Sequence, residues 1–363
     1  MPHLFVDISS HGFGHLAQVA PILNQLVRIR PELRLTIRSG LPLEKMRTRI
    51  AAPFEFINGR SDFGFVMLDA VRIDQGATAN AYRVWHENWP GRVAAEAEFL
   101  RSLAPDLVLT DVAYLPLAGA AKAGIPSLSM CSLNWADLFA HVFGHEPWAR
   151  AIHDEILAAY RGAECFLRLT PAMPMTSFGN ACAVAPVAAL GRDRRGELLE
   201  QVGAQADERI VLIAFGGIDH DLRVDHWPET PGIRWLLPQT WNIARPDMTA
   251  FEPLGFSFTD LLASVDAVLT KPGYGTFVEA ACNRTAVLYQ RRKNWPEQDC
   301  LIEWLKENGR CHEIEASTLA GGHWQTAFEA LWAQPMPPAP FPSGIAQAVA
   351  LLRAGLRADN QSA

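Results

Sequence analysis

The chain has 363 residues, of which 49 % are apolar and 20 % charged, and its formal net charge is −7. That is the composition of an ordinary folded protein, long for one domain and comfortable for two. The acidic balance excludes a chain-wide attraction to nucleic acid.

Short apolar runs alternate with helical patterns from the start. Residues 4–8, 35–37, 54–57, 107–110, 127–130 and 166–169 read as strands. They lack clean alternation, as strands buried on both faces of a parallel sheet do. Helical stretches at 16–29, 94–103 and 115–123 lie between them. Strand-helix-strand repetition predicts a doubly wound α/β domain. The pattern restarts in the second half. Strands are expected at 209–215, 267–270, 286–289 and 312–314, and helices at 259–264, 276–282, 298–307 and 324–333. The patterning lapses near 186–193. The expected division is therefore residues 1–188, residues 189–334, and a tail of residues 335–363. The tail opens with a proline-rich stretch that cannot continue a helix and ends in a helix at 345–356.

Cys131, Cys165, Cys182, Cys282, Cys300 and Cys311 are scattered, with no C-x-x-C pair. That speaks against a zinc site and for a reducing compartment. No signal-peptide pattern and no run of 18 apolar residues is present. A cytoplasmic protein is expected, with at most peripheral membrane contact. The arginine-rich stretch 28–49 is the candidate for such contact, although a solvated helix face explains it better.

In doubly wound sheets, ligands bind beyond the carboxyl ends of the strands. After the first strand comes Ser9-Ser10-His11-Gly12-Phe13-Gly14-His15. Its glycines permit a tight turn, and His15 falls at a helix start, where a neutral imidazole suits a general base. His11 is a second candidate in the same loop. A glycine turn with an N-capping histidine fits the same residues. Asp111 ends the strand at 107–110 and could hold His15 in one tautomer, or cap the next helix.

Thr270-Lys271-Pro272-Gly273-Tyr274-Gly275-Thr276-Phe277-Val278-Glu279 runs strand, glycine loop, helix. Amides at that helix N-terminus suit phosphate oxygens. Thr276 would add a hydroxyl, Lys271 a charge, and Glu279 an acceptor for ribose hydroxyls. It is not a Walker motif. After the next strand, 290–298 carries Arg291, Glu297 and Gln298, which could hold donor phosphates and hydroxyls. Gly216 and Gly217 can bring backbone close to a ligand. Asp219-His220-Asp221 has the D-x-D spacing of some metal sites, and a simple loop accounts for it.

These residues, in this order, resemble the GT-B glycosyltransferases over nearly the whole chain. Gly14-His15 is similar to the Gly-His after strand one of the plant-type UDP-sugar transferases. There the histidine is the catalytic base, paired with an aspartate that Asp111 matches. Residues 273–279 resemble the donor motif shared with the lipid-linked N-acetylglucosaminyltransferases, whose glutamate binds ribose. Glu297-Gln298 resembles the acidic-Gln pair that contacts donor hydroxyls. His11-Gly12-Phe13-Gly14-His15, Gly273-Tyr274-Gly275-Thr276, Arg291-Arg292 and residues 104–112 also resemble the glycosyltransferase-like half of plant L-arabinokinases. Nothing resembles a sugar-kinase phosphate loop, so kinase activity is not implied. Lys271-Pro272 departs from the usual residues before the donor glycines and leaves base and sugar preference open.

The resemblance implies two Rossmann-like domains facing across a cleft. It implies an inverting, metal-independent transfer from a nucleoside-diphosphate sugar to an acceptor hydroxyl, with no cofactor. The acceptor has no legible motif. An epimerase or hydrolase acting on the nucleotide-sugar, and a non-catalytic module that binds it, are the alternatives on the same fold.

Overall fold

The computed structural model describes residues 1–217, 220 and 222–358. Asp219 and Asp221, of the D-x-D spacing, lie outside the described residues. The strands are β1 (His3–Ile8), β2 (Arg34–Ser39), β3 (Glu55–Asn58), β4 (Met67–Asp69), β5 (Arg72–Ile73), β6 (Leu107–Asp111), β7 (Ser127–Cys131), β8 (Cys165–Leu169) and β9 (Ala181–Val184), followed by β10 (Arg209–Ile213), β11 (Ile233–Leu237), β12 (Met248–Ala250), β13 (Ala267–Thr270), β14 (Ala286–Tyr289) and β15 (Cys311–Glu313).

They form two parallel sheets, ordered β3-β2-β1-β6-β7-β8-β9 and β12-β11-β10-β13-β14-β15, with β4 and β5 as a separate hairpin. Both sheets are doubly wound. The order reverses between β1 and β6 in the first and between β10 and β13 in the second, which makes each reversal a crevice at the strands' carboxyl ends. Register places Ile8 beside Asp111, so the loop after β1 and the end of β6 open onto the same crevice.

Every strand and helix expected from the patterning is present, with ends moved by a few residues. The strand expected at 209–215 stops at Ile213 and frees Ala214–Gly217 as loop. The helix expected from residue 16 starts at Phe13. Strands β9, β11 and β12 were not signalled, and neither were the helices Gln75–His86, Trp135–Phe143 and Ala149–Arg161. The first of these contains Gly76 and Thr78, poor helix formers. The second is so rich in aromatic residues that its period is masked. β12 is three residues long, below what periodicity can detect.

The last helix, Gly344–Ala358, packs against the helix Phe13–Ile29 and against β9. Its start is pinned where the Gly344 amide donates to the Pro186 carbonyl. A Cβ on Gly344 would lie 1.9 Å from the Ala185 carbonyl oxygen, which explains glycine there. Among the described residues, no helix is long and apolar enough to cross a membrane.

The first sheet also buries charge. Arg38 on β2 donates to Asp7 on β1 and, at 3.0 and 2.6 Å, to both oxygens of Glu96. Its guanidinium lies near the rings of Phe5 and Phe99. Ser61 donates to the other Asp7 oxygen. Next to it in the chain, Asp62 accepts from Ser9 at 3.0 Å and from the Trp135 indole at 2.8 Å. The cluster therefore ties the sheet to the loop that supports the crevice. Arg38→Met leaves Asp7 and Glu96 buried without their cation. It should destabilise the protein by about 3–5 kcal/mol in urea unfolding, and a loss below about 1 kcal/mol would mean that the cluster carries no fold stability.

Candidate functional site

The two crevices face each other and form one cleft, with a cavity of about 70 Å³ at its floor. The first half contributes His11, Gly12, Gly14, His15, Gln18 and Leu133. The second contributes Phe215, Gly216, Thr270, Lys271, Gly273–Thr276, Arg292, Trp295 and Glu297.

His15 is buried in the first turn of its helix. Its Nδ1 lies 3.1 Å from Asp111 Oδ2, at the floor of the first half. Burial alone would lower the His15 pKa, but the Asp111 carboxylate outweighs it and leaves it raised. The same pairing limits the upward push that burial gives Asp111. Nδ1 lies at ion-pair distance from the carboxylate but outside hydrogen-bond geometry with it, and Nε2 is the nitrogen left for a ligand. Cys131 Sγ is 3.9 Å from His15 Nδ1. Nitrogen, oxygen and sulfur thus lie within 4.8 Å of one another. Burial raises the Cys131 thiol far above its ordinary range, so it stays protonated beside the imidazole and the carboxylate.

His11 stacks on Trp295, with centroids 5.6 Å apart, and meets Trp135 edge-on at 5.3 Å. Its Nε2 is buried without a partner among the described residues. Burial, then the charges of Arg292, His15 and Lys271, hold its pKa well below the ordinary value. His11 is therefore a neutral aromatic wall of the cleft.

Lys271 follows β13. Burial, followed by repulsion from Arg292, lowers its pKa to about 7, with Glu297 opposing. Arg292 lies flat over the Trp295 ring, 3.4 Å from the centroid. Its Nε and Nη2 are buried and have no hydrogen-bond partner among the described residues. Burial lowers it to about 9, again opposed by Glu297. Glu297 itself accepts from Ser132 Oγ of the first half at 2.6 Å and from the Trp295 indole at 2.8 Å. Two cations thus share one carboxylate that already has two donors. The helix Tyr274–Cys282 starts beside them with no side-chain cap, so its first amides are free to meet an anion.

The halves meet closely here. The Phe13 amide donates to the Gly216 carbonyl at 3.1 Å. A Cβ on Gly275 would lie 2.9 Å from Ala17 Cβ and 3.3 Å from Gly14 Cα. Gly217, at φ +81°, turns beneath the Phe13 ring, where a side chain would collide at 2.4 Å.

The cleft gathers His11, His15, Gly216, Lys271, Gly273, Tyr274, Gly275, Thr276 and Glu297, with Asp111 behind His15. Other expected residues are placed differently. Arg291 points outward to Asp299 at 2.7 Å and Glu313 at 2.9 Å, and its neighbour Arg292 takes the cleft position. Gln298 spends its amide on the Arg292 backbone, accepting at 2.9 Å and donating at 3.0 Å. Glu279 is buried and paired with Arg49 of the first half. The Tyr274 phenol leaves the cleft, accepting from the Val187 amide and donating to the Thr170 carbonyl. Arg292, Trp295 and Gln18 were missed. The basic run Arg291-Arg292-Lys293 signals that a cation enters the cleft, but in an irregular loop nothing marks which one.

No protein-family model matches the chain. It is 26 % identical over 335 residues to L-arabinokinase of Arabidopsis thaliana, covering 89 % of this chain. The chain spans about a third of that relative's length, 31 %. Among solved structures it is similar to CalG4, the calicheamicin glycosyltransferase. The TM-score is 0.63 at 17 % identity, over 98 % of this chain and 99 % of that one. It is also similar to Arabidopsis thaliana UGT89C1 complexed with UDP. There the TM-score is 0.57 at 12 % identity, over 100 % and 96 % of the two chains. The chain has the GT-B fold. The GT-B cleft is the one described above, between the carboxyl ends of two doubly wound sheets.

Lys271 and Arg292 are poorly compensated buried charges, so they oppose folding in the absence of a ligand. Lys271→Met should raise stability at pH 7 by about 1–2 kcal/mol. The sign follows from its lowered pKa. The wild-type penalty is full below about pH 7 and disappears as pH rises towards the unfolded value of 10.5. Wild-type stability should therefore gain on the variant's from loss of this penalty across that window. Parallel pH curves for the two proteins in urea unfolding would show that Lys271 is not penalised.

Proposed function

We propose that the protein is a glycosyltransferase. It moves a sugar from a nucleoside-diphosphate donor, foremost a UDP-sugar, to an acceptor hydroxyl with inversion. The observation that carries this reading is a base pair and a cation pair in one cleft, His15–Asp111 in the first half and Lys271–Arg292 in the second. A UDP complex on the same fold supports the choice of nucleotide.

In this reading Asp111 holds the His15 Nδ1 proton and stabilises the imidazolium that forms. Nε2 takes the proton from the acceptor hydroxyl. The acceptor oxygen forms a bond to the anomeric carbon as the bond from that carbon to the diphosphate oxygen breaks. The electron pair leaves with the nucleoside diphosphate. Lys271, Arg292 and the free amides at Gly275 and Thr276 meet the charge that develops. Fixed side-chain cations thus supply what a metal ion supplies in other transferases. Glu279 is assigned to the ribose, whose hydroxyls compete with Arg49, so donor entry opens that ion pair. His11 and Trp295 wall the space where the sugar sits.

A positioned general base contributes about 10²–10⁴ in rate. His15→Ala should lower turnover by that order and leave nucleoside-diphosphate affinity within about threefold. Equal loss of both would remove His15 from the base role. The base works only when neutral, and its pKa is raised from 6.5. The rate should therefore fall as pH drops, with the midpoint above 6.5. Asp111→Asn should move that midpoint down, because the raising charge is gone.

The deciding experiment is a thermal-shift series with UDP, GDP, TDP, CMP and ADP, each with and without magnesium. A ligand at a hundredfold excess over Kd stabilises by about 2.7 kcal/mol. A shift with one diphosphate, unchanged on removal of magnesium, supports the reading. No shift with any of them overturns it.

A further inference from the structure

A second cavity, of about 240 Å³, lies at the opposite end of the second sheet, where its strands begin. Arg209 is the first residue of β10. Asp266 precedes β13, Arg284 and Thr285 precede β14, and Arg310 precedes β15. Arg195 and the Trp332 ring complete the lining.

The charges here do not balance. Asp266 accepts from Arg195 at 2.6 Å, from Arg209 at 2.7 Å and from the Ile210 amide at 2.8 Å. Asp193 is turned to the Arg195 amide at 2.9 Å. No carboxylate among the described residues pairs with Arg284 or Arg310. The C-terminal end of the helix Tyr274–Cys282 adds only about half a negative charge nearby, which two guanidiniums exceed.

The unspent hydrogen-bonding groups are all donors. Arg310 Nε and the Trp332 indole N–H are buried without partners among the described residues. Arg310 otherwise reaches only the Trp332 carbonyl, at 3.5 Å. Arg284 adopts φ +63° at the position after the helix cap, where glycine or asparagine is the usual residue.

We infer that this cavity is a second anion site, separate from the cleft, which takes a phosphate group through the guanidiniums of Arg284 and Arg310. A phosphate monoester has acceptors on every face and two negative charges, which matches both the donors and the excess charge. The same chemistry is offered by a soluble phosphorylated metabolite and by a phospholipid headgroup.

The test uses inorganic phosphate at constant ionic strength, with Lys271→Met as the background so that the cleft contributes less. Thermal shift and calorimetry should both register phosphate binding to this variant. Adding Arg284→Gly, whose backbone suits the left-handed region, or separately Arg310→Gln, should weaken the binding about tenfold or more. Absence of binding in the Lys271→Met background overturns the inference, and so does equal affinity with and without the second substitution. Co-sedimentation with vesicles containing phosphatidic acid, whose headgroup is a phosphate monoester, distinguishes the sources. Vesicle binding lost on Arg284→Gly assigns the site to a headgroup. Phosphate binding without co-sedimentation assigns it to a soluble phosphate compound.

Discussion

Glu297 is the group on which the arrangement of the cleft depends. It is the shared counter-charge for Lys271 and Arg292, and its two oxygens are committed to Ser132 of the first half and the Trp295 indole of its own loop. A single buried carboxylate thus performs three tasks. It makes two cations tolerable in a low-dielectric cleft, fixes the ring on which one of them lies, and ties the second sheet's loop to the first half. Burying charges is costly unless they are paired, so the position of this one acid decides where the cations can be.

The loop bearing Glu297 belongs to the second sheet by sequence and to the first half by packing. Trp295 is buried among the aromatic residues of the first half, against Phe65 and the stacked His11. The Lys293 amide donates to the Val71 carbonyl. Together with the Gly14–Gly275 approach and the Arg49–Glu279 pair, these contacts hold the two halves together across the cleft.

Much of this was legible in the residues. Strand-helix alternation gave both sheets, because parallel strands buried on two faces are continuous apolar runs that single sequences display well. Gly14-His15, Asp111 and the glycine loop at residue 273 could be placed because ligand sites on this architecture follow strands. What could not be read was direction within irregular backbone. Arg291 and Arg292 are chemically alike and adjacent, and the loop's path alone sends one to Asp299 and the other over Trp295. Gln298 has the right neighbour for a sugar contact, yet the turn it closes uses its amide first. Glu279 was identifiable as an acid on the right helix, whereas its partner Arg49 lies far away in the chain and leaves no local signal.

Tyr274 has a consequence for how the halves can be exchanged. Its backbone forms the first turn of the helix at the cleft, and its phenol joins the Val187 amide, where the chain passes from one sheet to the other, to the Thr170 carbonyl after β8. A chimera that grafts a different second half after residue 188 would keep both main-chain groups but lose the hydroxyl between them unless the incoming helix also begins with tyrosine. Modularity in this chain therefore has a seam that is not a point in the sequence. It is a three-residue contact, and a recombinant that respects the contact will preserve the relative pose of the sheets better than one that respects only the crossover residue.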